Sequence, residues 1–121
     1  MHRILTYVSA LAMLMMATTW AEAHAHLDRA NPRVGSTVQS APREITLWFT
    51  EKLEPAFSRI EVRDASGKRV DTGKALVDKA NPVELRIAVK PLPAGTYKVF
   101  WHVLSVDTHT TEGSFSFRVA R

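Results

Sequence analysis

Between Glu44 and Val119 the apolar residues recur at alternate positions in short runs, and no window carries the one-sided apolar stripe of an amphipathic helix. Arg59-Ile60-Glu61-Val62-Arg63 is the cleanest case, with Ile60 and Val62 inward and Asp64-Ala65-Ser66-Gly67 as the turn that ends it. Glu44 to Thr50 begins the same way and then carries the pair Trp48-Phe49. Val83 to Val89 alternates throughout, and Pro91, Pro93 and Gly95 punctuate the next turn. Tyr97 to Leu104 is longer and mostly apolar, as befits a strand near the middle of a sheet, and Gly113 to Val119 sends Phe115, Phe117 and Val119 to the core. Asn31 to Pro42 reads as an irregular loop. Short strands separated by turn residues predict a single all-β domain, an antiparallel β-sandwich or barrel. Trp48, Trp101, Phe115 and Phe117 are expected to pack in its core.

The start of the chain obeys different rules. Met1-His2-Arg3 is followed by an apolar run from Ile4 through Met16, then by the small-residue sites Ala21-Glu22-Ala23 and Ala23-His24-Ala25. This is the pattern of a secretory signal peptide, expected over residues 1–23, with residues 24–121 as the mature domain. A membrane anchor is the competing reading, but no Lys or Arg cluster comes after it to stop transfer. Cleavage at either site leaves histidine first, His24 or His26. All four methionines (Met1, Met13, Met15, Met16) lie in the removed segment, and the chain has no cysteine. Disulfides, thiolate metal sites and cysteine nucleophiles are therefore excluded. Lys and Arg outnumber Asp and Glu by 16 to 12, yet no basic run exceeds Lys68-Arg69, so nucleic acid is not an expected partner.

Chemistry in a sandwich this small belongs on its loops or at its free end. An N-terminal histidine offers the α-amine and the imidazole Nδ1 to one metal ion as a chelate. Ser105 to Gly113 is a polar loop carrying Asp107 and His109, two residues apart, which extended backbone would set on one face. Together they make three nitrogens and one oxygen, a donor set suited to Cu(II). Residue types alone also allow a processing remnant and a solvated loop.

His24-Ala25-His26-Leu27 with Asn31-Pro32, Phe49-Thr50-Glu51-Lys52-Leu53, Pro93 to Val99, Trp101, Ser105-Val106-Asp107-Thr108-His109 and Gly113 to Phe117 occur in an order that resembles the CopC family of periplasmic copper-binding proteins. The resemblance implies a small Greek-key β-sandwich, immunoglobulin-like or cupredoxin-like, that binds copper and is not an enzyme. It implies a periplasmic protein, expected to be monomeric, serving copper resistance, homeostasis or transport beside an inner-membrane partner of the CopD type. It implies one Cu(II) per chain on His24, Asp107 and His109, with cleavage after Ala23. Glu51 matches an acidic position near the family's copper site, where it would hold a ligand or a water. His26 has two readings: a neighbour of the site, or the third residue of an x-x-His chelate using deprotonated backbone amides. Some members carry a second, Cu(I) site on a Met-rich loop; the matching region here, roughly Asp64 to Asn81, has no Met, so a single site is expected. His102 is read as a partly exposed strand residue and not a ligand. Two other functions compete: a copper-brace oxidative enzyme acting on polysaccharide, since an N-terminal His paired with another His resembles that centre, and an immunoglobulin-like interaction module with no metal.

Overall fold

The computed structural model describes residues 25–121; the expected signal segment and His24 lie outside the described residues. Eight strands succeed one another in chain order: β1 (Leu27–Asn31), β2 (Thr37–Val38), β3 (Glu44–Phe49), β4 (Arg59–Arg63), β5 (Leu76–Val77), β6 (Glu84–Ala88), β7 (Gly95–Leu104) and β8 (Thr110–Val119). The only helical element among the described residues is a 3-10 turn at Pro55–Phe57, so no described helix is long and apolar enough to cross a membrane.

One sheet has the order β1-β3-β6-β5 and the other β2-β8-β7-β4. Without β2, four strands face three in the strand order of immunoglobulin constant domains. A second mark of that architecture is present at the start of β7, where the buried Tyr97 donates its hydroxyl to the Pro93 carbonyl. Strand pairs are antiparallel with one exception: β2 lies parallel to β8, through Thr37–Arg118 and Val38–Val119. The segment Asn31 to Pro42 is thus not wholly irregular.

The alternation read from the sequence sets the core. Ile45, Leu47 and Phe49 of β3 and Leu85 and Ile87 of β6 meet Ile60 and Val62 of β4, Val99 and Val103 of β7, and Phe115 and Phe117 of β8, all buried. Each such side chain contributes about 1.5–3 kcal/mol by leaving water. Tyr97 stacks on Phe117 at 5.5 Å, and Phe49 meets Trp101 edge-on at 5.2 Å. Gly113 lies directly opposite Trp101, and a Cβ there would fall 2.5 Å from Trp101 Cζ2, so the indole occupies the space of the missing side chain. Gly67 has φ +87°, the left-handed geometry its turn requires.

Trp48 departs from expectation. It lies on the outer face of its sheet, parity with Glu44 and Thr46 rather than with the core residues. Arg29 covers its ring at 3.9 Å, and its indole Nε1 donates to Glu84 Oε1 at 2.8 Å. An amphipathic ring with both a cation and an acceptor at hand does not need the core.

Candidate metal centre

The longest strand pairing, β7 with β8, runs from Gly95–Val119 to Leu104–Thr110. The polar segment after Leu104 is therefore a tight hairpin, and Thr110 to Gly113 belong to β8 rather than to a loop. Ser105 N donates to the His109 carbonyl at 3.0 Å and Thr108 N to the Ser105 carbonyl at 2.9 Å. Thr108 makes the reversal possible by adopting φ 73°. That conformation is uncommon for a β-branched residue and costs about 1–3 kcal/mol. Thr108→Asn, which tolerates it, is expected to raise stability by about 1 kcal/mol in a urea titration.

This turn brings Asp107 Oδ1 within 3.4 Å of His109 Nδ1. The two side chains converge as expected, but the cause is the left-handed residue between them, not extended alternation. The Ser105 hydroxyl donates to Asp107 Oδ1. That bond, opposed by a little burial and reinforced by the His109 ring, holds the Asp107 carboxyl below the usual carboxylate range. Asp107 is thus ionised at neutral pH.

Two other segments reach the same end of the sandwich. Val106 N donates to the Lys52 carbonyl at 3.0 Å and Glu54 N to the Leu104 carbonyl at 2.8 Å, lacing residues 52–54 along the end of β7. Preceding them, Thr50 N donates to the His26 carbonyl, and His26 N donates to Thr50 Oγ1, both at 2.9 Å. Ala25 is fully buried, and its carbonyl accepts from Thr111 Oγ1 at 2.7 Å. The first described residues are thereby stitched between the end of β3 and the start of β8.

Glu51 sits between Thr50, which pairs with His26, and Lys52, which pairs with Val106, and is half-buried. His26 is brought to the same end, but its amide, one of the backbone nitrogens an x-x-His chelate would deprotonate, already serves Thr50 Oγ1. His102 is on the outer face of the second sheet, flanked by Arg59 and Glu112, with its buried Nδ1 lacking a hydrogen-bond partner. It is on the opposite parity to Val103 and Ser105, away from the core. A shallow depression lined by Arg59, Glu61, Phe100, His102, Glu112 and Ser114 marks that outer face. Among the described residues no three His, Asp or Glu side chains form a group able to hold a metal ion. The pair Asp107–His109 needs further donors, and His24 is not among the residues described.

Ser105, Thr50 and Thr111 stand in the segments quoted from the sequence without a role of their own, and the structure gives each a hydrogen bond in this arrangement. Ser105 had a signal. It continues the inward series Tyr97, Val99, Trp101, Val103, where an apolar residue is the default, and it is completely buried.

Residues 27–120 match the CopC domain family. Protein YobA of Escherichia coli K12 is 36% identical over 121 residues, covering 97% of this chain and 95% of YobA. Copper resistance protein C of Xanthomonas campestris pv. juglandis is 37% identical over 110 residues, 86% of each chain. Among solved structures, CopC from Methylosinus trichosporium OB3b matches with a TM-score of 0.76 at 35% identity, over 80% of this chain and 94% of that one. A family match across almost all the described residues, borne by relatives and structure together, makes this chain a member of the CopC family, copper-binding resistance proteins and not enzymes.

Proposed function

We propose that the chain is cleaved after Ala23, works in the periplasm as a monomer, and holds one Cu(II) on the His24 amine and ring with Asp107 and His109. Copper is cargo in this reading, passed to a membrane partner of the CopD kind. The observation that carries it is the Thr111–Ala25 hydrogen bond, which ties the residue after His24 to a strand position two residues beyond His109. Donor chemistry supports the oxidation state: residues 24–121 contain neither Cys nor Met, so the soft donors that Cu(I) prefers are missing. Glu51, held between the two segments that flank the turn, would steady a ligand or a water.

Replacing both Asp107 and His109 by Ala is expected to weaken Cu(II) binding more than about a hundredfold, roughly 3 kcal/mol or more. A competition titration gives the affinity, and electron paramagnetic resonance should report fewer coordinated nitrogens. Unchanged affinity and spectrum would overturn the centre and favour an interaction module without metal.

A further inference from the structure

We propose that Ser105 is a positioning residue of this centre: its buried hydroxyl fixes the Asp107 carboxylate in one orientation toward His109 before any ion arrives. The inference rests on the Cu(II) reading above and adds to it a residue that donates nothing to the metal.

Three observations carry it. Ser105 occupies a fully buried, inward position on the β7 parity, where Val99 and Val103 are apolar, so its hydroxyl sits where burial alone would select against one. Its hydroxyl lies against two oxygens, Asp107 Oδ1 and, at 3.2 Å, the His109 carbonyl. A hydroxyl has one proton, and the ionised carboxylate is the stronger and nearer acceptor. Finally, the His109 carbonyl already receives the Ser105 amide at 3.0 Å, so the hairpin does not depend on the hydroxyl for its own hydrogen bonding.

The physical consequence concerns when the ordering of Asp107 takes place. A half-exposed carboxylate on a surface turn normally samples several rotamers and must be ordered on binding. Here Oδ1 is pinned from below by a group that the core holds rigid, and His109 Nδ1 lies 3.4 Å away. The pair is therefore presented as a unit.

Ser105→Ala removes one oxygen atom and leaves the backbone pairing intact, so it should fold. Cu(II) affinity is expected to fall about tenfold, the lower end of what loss of a ligand's supporting hydrogen bond costs. The deciding measurement is a double-mutant cycle with Asp107→Ala, read by competition titration. In the Asp107→Ala background the Ser105→Ala effect should vanish, because the hydroxyl then has no carboxylate to hold. The copper spectrum of Ser105→Ala should also shift, a readout that a stability role would not move. Equal losses in both backgrounds, or no loss in the first, would overturn the inference while leaving the centre standing. If Asp107→Ala alone left affinity untouched, the centre itself would fall, and the positioning role with it.

Discussion

Protein processed to begin at His24 should bind one Cu(II) at least about a hundredfold more tightly than the same chain with one extra residue before His24, a gap of roughly 3 kcal/mol or more. The extra residue turns a basic α-amine into a peptide nitrogen, which must give up an amide proton before it can donate beside the imidazole. Little else changes. Ala25 keeps its bond to Thr111, His26 keeps its pairing with Thr50, and the Asp107–His109 turn is held by the β7–β8 pairing and by the Val106 bond to Lys52. Apo stability of the two forms should therefore agree, which isolates the loss to the amine. Competition titration of both forms, with resonance spectra to count nitrogens, provides the measurement. Matching affinities would remove the amine from the centre and with it the reason for cleavage after Ala23.

The legibility of the fold and the centre in the sequence divides along physical lines. Strands whose one face is buried announce themselves, because Ile60/Val62, Leu85/Ile87 and Phe115/Phe117 must alternate with polar neighbours to pack. β1, β2 and β5 do not, since Leu27–Asn31 buries only Ala30 and the other two are two residues long; backbone pairing rather than side-chain burial defines them. Trp48 misled for a related reason: its size suggests the core, while its place is fixed by Arg29 and Glu84, from strands distant in sequence. For the centre, residue types and spacing indicated Asp107 and His109. The left-handed Thr108 that joins them, and the Thr111 and Thr50 contacts that bring in the amino-terminal segment, are tertiary facts with no local pattern to reveal them.

At the other end of the sandwich, Asp71 is expected to matter most for stability. Its side chain is wholly buried and binds Arg69 through both oxygens at 3.0 Å, Val62 N at 2.7 Å and Gly73 N at 2.7 Å. The same segment spans the two sheets: Val70 N donates to the Val62 carbonyl of β4, and Thr72 N to the Ala88 carbonyl of β6. Burial alone would push the Asp71 carboxyl up, but the Arg69 guanidinium and the two backbone amides outweigh it and hold it below the usual carboxylate range. Asp71→Ala leaves two amides without their acceptor and Arg69 without the nearer of its two carboxylates, Glu61 being the other at 3.6 Å, which should cost about 3 kcal/mol and lower the Tm by about 12–24 °C. The sign of the pH dependence comes from the depressed value. Asp71 binds its proton more readily in the unfolded chain, so its contribution is complete above the unfolded carboxylate range near pH 4 and fades as pH falls through the folded value. In Asp71→Asn the amide cannot gain this proton. Denaturant titrations of wild type and Asp71→Asn should differ most above about pH 4 and approach each other as the pH falls below that range. A gap that stayed constant over that range would mean that Asp71 acts by its shape and hydrogen bonds without its charge.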